Sequence, residues 1–202
     1  MSCKRIADKI TGANTVANKK LKLGHWSQGL LQAVEDPALL VKSDEFVNVI
    51  KDKYPKAKFH YLVVCKKNIG SLNEITKSDM NLLRHMDKIA TELTNETKHE
   101  NNNFKIGYHA EPSMARLHLH IISDDMNSSF LKTKKHWNSF NSDFFIPSSK
   151  VIQSLEDKNK LDLPSKEKCK KYLELPLLCH KCSYVPKNIP DLKKHILSHC
   201  LK

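Results

Sequence analysis

Arg116-Leu117-His118-Leu119-His120-Ile121-Ile122 is the segment of this chain best equipped for chemistry. Polar and apolar residues alternate with period two, as in a half-buried strand. Leu117, Leu119 and Ile121 are expected to enter a core. Arg116, His118 and His120 are then left on the opposite face, successive members within about 7 Å of one another. A neutral imidazole near pH 7 is a usable nucleophile, and cationic neighbours neutralise phosphate oxygens. Spacing alone leaves two other readings open: an edge strand with solvated histidines, or a metal site.

A second constellation lies near the C-terminus. Cys179-x-x-Cys182, then twelve residues, His195, three residues and His199 have the spacing of a two-Cys, two-His finger, so a structural zinc ion is expected. Pro190 suits the first turn of a helix, on which His195 and His199 share a face and Leu192 supplies the small core. Val185-Pro186 stands where such fingers usually carry a core aromatic, and Cys200 is a spare ligand that His199 makes unnecessary. A lone finger reads only about 3 bp. Lys187, Lys193 and Lys194 are therefore expected to contact phosphates rather than bases, a solvated face being the alternative.

The elements that must position these groups read as α+β. Apolar spacing from His25 to Leu40 predicts a helix ended by Asp36-Pro37. Phe46–Ile50 and Tyr61–Val64 predict neighbouring strands around the loop Asp52-Lys53-Tyr54-Pro55-Lys56. Leu82, Leu83, Met86, Ile89, Ala90 and Leu93 form the stripe of an amphipathic helix, capped by Thr76 or Ser78. Phe104–Tyr108 leads into the histidine strand, and a short helix is expected over Val151–Leu155. Strands with few intervening helices indicate an antiparallel sheet. Residues 1–23 are expected to be a mobile basic tail, 24–148 the main domain, and 149–202 a basic connector and finger.

Bulk properties narrow the partners. There are 34 basic and 22 acidic side chains, a net charge of +12, and residues 150–202 carry twelve lysines against six acids. Such a surplus favours a polyanion, nucleic acid before an acidic membrane. No apolar run approaches the roughly 20 residues that span a bilayer, and no membrane association is expected. Six cysteines, two in a Cys-x-x-Cys pair, suit a reducing compartment and a metal better than a disulfide framework.

His118-Leu119-His120 resembles the His-φ-His-φ-His-φ-φ motif of the histidine-triad superfamily. The runs Gly107–Met114 and Lys132–Phe140, with Gly24–Leu30 and Asp52–Ala57, resemble its aprataxin branch. The resemblance extends from about Gly24 to the C-terminus and is closest to the fungal type, without an N-terminal phosphopeptide-binding (FHA) domain. One position departs: Arg116 stands at the first triad histidine.

The resemblance implies a histidine-triad fold and removal of AMP from the 5′-phosphate of DNA, at adenylated ends or nicks left by abortive ligation. It implies His118 as nucleophile, His109 and Ser113 at the leaving group, and His120 and His60 around the nucleotide and phosphate. Asp52 is implied at the ribose hydroxyls, and Lys132 and His136 at the DNA phosphates, with Lys56 grouped there. No catalytic metal is implied. A monomer is expected, nuclear in residence with the cytoplasm also open. Trp26 has two readings, stacking on a terminal base or packing in the core. Two other functions stay open: a small-nucleotide hydrolase for dinucleoside polyphosphates or AMP-amidates, and a non-catalytic module binding DNA breaks. Loss of the finger is expected to weaken DNA binding more than turnover of a small AMP ester.

Overall fold

The computed structural model describes residues 29–199. The expected tail, Trp26 and Cys200 lie outside the described residues. The strands are β1 Leu40–Ser43, β2 Val47–Lys51, β3 His60–Cys65, β4 Phe104–His109, β5 His118–Ser123 and β6 Phe145–Pro147. They form one sheet in the order β1-β2-β3-β5-β4-β6, with every neighbouring pair antiparallel. The helices are α1 Gly29–Glu35, α2 Met80–Thr94, α3 Lys134–Asn141, α4 Ser148–Lys158, α5 Lys166–Leu173 and α6 Ile189–Leu197.

Period two sorts the sheet into two faces. Tyr61 pairs with Ile121 and Val63 with Leu119, and these side chains meet Leu83, Met86 and Ala90 of α2 and Val151 and Leu155 of α4. That face is the main core. Its helix α2 starts behind a capping box in which Asp79 accepts from the Thr76 N–H at 3.0 Å and the Thr76 hydroxyl at 3.1 Å. Thr76 therefore caps the 3-10 turn Lys77–Asp79 that leads into α2, whose own N-cap is Asp79, and the Ser78 hydroxyl bonds to that of Thr76.

The other face carries His60, Leu62 and Val64 of β3 beside Ile122, His120 and His118 of β5. It is not solvated. Leu30 of α1 covers Ile50, Leu62 and Val64 at one end, and Ile122 joins a cluster with Trp137, Phe140, Leu192 and Ile196 at the other. All six residues of β5 are buried, so the strand is central and covered on both faces rather than half-buried. Arg116 also departs from expectation. It precedes the strand with φ of 100°, and its guanidinium donates to the Lys66 and Lys67 carbonyls instead of lining the histidine face.

The finger is part of the body. Trp137 Nε1 donates to the Leu178 carbonyl at 3.0 Å, and Asn138 Nδ2 donates to the carbonyls of Leu173 and Leu175 at 3.1 and 2.8 Å. His180 Nε2 lies 2.6 Å from the Asp124 carbonyl. Lys193 Nζ donates to the Ser128 carbonyl at 2.5 Å, which takes this lysine out of the free phosphate-contacting set. The expected break at 148/149 falls in the first turn of α4, whose Val151 and Leu155 are buried in the main core. The cause is an apolar stripe that only the sheet and α2 can cover.

Candidate active site

A cavity of ≈ 570 Å³ lies over the histidine face. Asp52, Lys56, His60, His109, Ser113, His118, His120 and His136 all line it. Lys132 does not; it is exposed beside the mouth, its N–H donating to His136 Nδ1 at 3.2 Å. Trp26 is outside the described residues.

Antiparallel pairing explains the convergence. Cross-strand partners share a face, so Leu62, His120 and Gly107 stand in one row and bring β3, β5 and β4 to the cavity floor. His109, two residues beyond Gly107, joins them with its ring centroid 4.2 Å from that of His120. Gly107 is required here: a Cβ would come within 2.5 Å of the Ile146 carbonyl oxygen and 2.7 Å of the Phe145 ring.

Hydrogen bonds fix which nitrogen of each ring carries its proton. His118 Nδ1 lies 2.8 Å from the Arg116 carbonyl, an acceptor, so Nδ1 holds the proton and Nε2 keeps its lone pair. His60 Nδ1 accepts the Lys56 N–H at 3.2 Å, which puts the His60 proton on Nε2. That proton faces His120 Nδ1 at 3.0 Å, so His120 carries its own on Nε2. This Nε2 is buried without a protein partner, a donor set for something that enters the cavity. His109 Nε2 is likewise buried and unpartnered, while the ring bonds to the Ser139 carbonyl.

Burial is the largest influence on all four rings and holds each below the ordinary histidine range. His60 falls to about 4, and Lys56 and the neighbouring imidazoles depress His109 and His120 further. At neutral pH the cluster is therefore uncharged, and His118 is available as a nucleophile. Asp52 Oδ2 stands 3.5 Å from His60 Nδ1, but that nitrogen already accepts from Lys56 and the ring is neutral, so the pair is not an ion pair. Asp52 Oδ1 caps the loop by accepting the Tyr54 N–H at 2.7 Å, which leaves Oδ2 toward the cavity.

Beyond the expected residues, the cavity has an apolar end. Leu30, Ala33, Leu39, Ile50, Leu62 and Met114 line it, a wall suited to a flat ring system. Period two signals Ile50 and Leu62, while Met114 has no sequence signal because it lies in an irregular segment. Lys53, Tyr54 and Lys135 also reach the cavity.

Among the described residues, two groups bring metal-ligand types together. In the finger, Cys182 Sγ and His195 Nε2 are 3.1 Å apart, Cys179 Sγ and His199 Nε2 3.4 Å, and the two histidine nitrogens 3.2 Å. Bond lengths near 2.3 Å to sulfur and 2.0 Å to nitrogen imply tetrahedral edges of about 3.3–3.5 Å, so these four residues fit a structural zinc ion. Tyr184 supplies the finger's aromatic, stacked on His195 with centroids 4.0 Å apart. Val185, the position expected to hold that aromatic, is 63% exposed. In the second group, Asp52, His60 and His120, both ring nitrogens of His60 and Nδ1 of His120 are engaged in the hydrogen bonds just described.

Residues 25–136 match a family profile described as "Scavenger mRNA decapping enzyme C-term binding", and residues 141–202 one described as "C2HE / C2H2 / C2HC zinc-binding finger". Profile, sheet and histidine cluster define a histidine-triad domain joined to a zinc finger. Aprataxin of Gallus gallus is 44% identical over 92% of this chain and 58% of its own length. Aprataxin of Ciona intestinalis is 47% identical over 85% of this chain and 45% of its own. The chain belongs to the aprataxin family. It spans about half the length of these curated relatives. The fold is that of the aprataxin ortholog Hnt3 from Schizosaccharomyces pombe, with a TM-score of 0.65 at 22% identity over 84% of this chain and 88% of that one. The fold class and finger expected from sequence agree with these matches.

Proposed function

We propose that this chain is a DNA 5′-adenylate hydrolase that works through a covalent adenylyl-histidine at strand breaks. One observation carries the reading: His118 is neutral, with its proton tied to the Arg116 carbonyl and its Nε2 left to act in a cavity of donors and an apolar slot. In the first step the Nε2 lone pair attacks the AMP phosphorus. The bond from that phosphorus to the DNA 5′-phosphate breaks, and the phosphate leaves with the electron pair. His120 Nε2–H donates to the oxygens of the attacked phosphoryl group, where charge develops. His109 and Ser113 stand at the leaving phosphate. In the second step water attacks phosphorus, the P–N bond breaks, AMP departs and His118 is restored.

Binding follows the same geography. The adenine occupies the slot between α1 and the β2–β3 surface, and Asp52 Oδ2 accepts from the ribose hydroxyls. The DNA strand leaves past Lys56, His136 and Lys132, where α3 begins; the helix N-terminus and lysines together favour an anion. Hnt3 has been solved in complex with DNA, which supports a nucleic-acid partner for this chain. The net charge of +12 supports it too. The finger's zinc is structural and imidazoles carry the chemistry, in a monomer that serves repair in the nucleus.

Two measurements test the reading. Denaturing the protein during turnover of 5′-adenylated nicked DNA should trap AMP on His118 as an acid-labile phosphoramidate, and His118→Ala should form none. AMP release by His118→Ala at the parent's rate overturns the mechanism. Equal kcat/KM for adenylated DNA and an adenosine dinucleotide overturns the substrate.

A further inference from the structure

Arg116 occupies the first triad position, yet its side chain takes no place in the cavity. Its backbone has φ of 100°, a region where an L side chain is strained. The guanidinium Nη1 donates to the Lys67 carbonyl at 2.8 Å and the Lys66 carbonyl at 3.2 Å. Those carbonyls belong to the chain leaving β3. Neighbouring backbone bonds tie the same two segments: Cys65 N–H to the Leu117 carbonyl at 3.1 Å, and Leu117 N–H to the Ile69 carbonyl at 2.7 Å. Between these ties sits the Arg116 carbonyl, 2.8 Å from His118 Nδ1.

We propose that Arg116 is a positioning residue for the nucleophile: its guanidinium, anchored on the Lys66 and Lys67 carbonyls, locks the strained turn so that the Arg116 carbonyl holds the His118 proton on Nδ1 and the lone pair on Nε2. A histidine side chain is too short and has too few donors to bridge both carbonyls from this turn; the two N–H groups of Nη1, carried on arginine's longer stem, serve both. The role rests on His118 being the nucleophile. It predicts an effect on kcat with little on KM, because the tautomer matters to attack and not to docking. Loss of a tautomer-fixing group costs up to about 10⁴ in kcat when the partner is removed outright. Here the carbonyl stays and only its anchor goes, so a fall of about tenfold is expected.

Three variants separate the side chain from the backbone. Arg116→Gly accepts a φ of 100° without strain but has no anchor, Arg116→Ala lacks both, and Arg116→Lys keeps a cationic nitrogen with three N–H donors on a shorter stem. Nitrogen-15 NMR of the His118 ring reads the tautomer without any substrate. The parent should show a single Nδ1–H form, the Gly and Ala variants a mixture with kcat lowered about tenfold and KM within about twofold, and the Lys variant intermediate values. A Gly variant with the parent's single tautomer and kcat overturns the proposal. Should Arg116→Ala fail to fold, the Gly and Lys variants decide. Mixed tautomers in a protein whose parent does not release AMP from adenylated DNA support the positioning role and overturn the proposed activity instead.

Discussion

Four imidazoles packed ring against ring can coexist only if most stay uncharged, and burial enforces this. The consequence for stability has a definite sign. A histidine whose folded pKa lies below about 6.5 binds fewer protons folded than unfolded, so stability is flat above that pH and falls as pH drops from there toward the folded value. For His60 the window runs from pH 6.5 down to about 4, and each pH unit crossed within it costs about 1.4 kcal/mol. Urea midpoints should therefore be constant between about pH 7 and 8 and lower at about pH 5, with His60→Asn showing a shallower fall. Activity has the same direction: protonating His118 removes its lone pair, so the acid limb of kcat/KM should lie below pH 6.5. The residue types of this site were legible in the sequence. His118 and His120 alternate with leucines, and Asp52 and His60 frame a recognisable loop. Which nitrogen holds each proton was not, because that depends on the Lys56 N–H and the Arg116 carbonyl, contacts that only the folded backbone creates.

At the scale of elements, the central strand β5 acts through its neighbours. Gly107 of β4 lies opposite His120 and under the Phe145 ring, leaving β6 room to approach. Gly107→Ala should push β6 away, loosen the His109 and Phe145 packing, and lower stability by about 1–3 kcal/mol, read as a reduced urea midpoint with unchanged slope. The core stripe of α2 was legible from helical spacing, and Leu83, Met86, Ile89, Ala90 and Leu93 are all buried. Covering of both faces of β5 was not. Period two shows that faces differ, but not whether a helix or a finger lies over the second one. The positive φ of Arg116 was equally invisible, since nothing in Ala115-Arg116-Leu117 asks for a left-handed residue.

At the scale of the described molecule, one core cluster crosses the expected domain boundary. Leu192 and Ile196 of the finger share one cluster with Ile122 of β5 and with Phe140, which also lines the cavity. Chelating the zinc, or replacing Cys182 by Ala, should therefore slow turnover of a small AMP ester as well as weaken DNA binding, unlike what a tethered finger predicts. The check is to compare both activities before and after treatment with a strong chelator, following the melting temperature alongside. Raising salt from about 50 to 200 mM should act differently, weakening DNA engagement steeply while small-ester turnover stays level. The four residues of the Cys/His cluster were plain from spacing. Their attachment was not, because Trp137 meeting Leu178 and His180 meeting Asp124 join residues 41 and 56 positions apart. Those seams have a hydrodynamic consequence. A finger so fastened has no independent rotational diffusion, so amides of the sheet and of α6 should report a single tumbling time in solution. Any large partner then meets one rigid template, with the orientation of each half already decided.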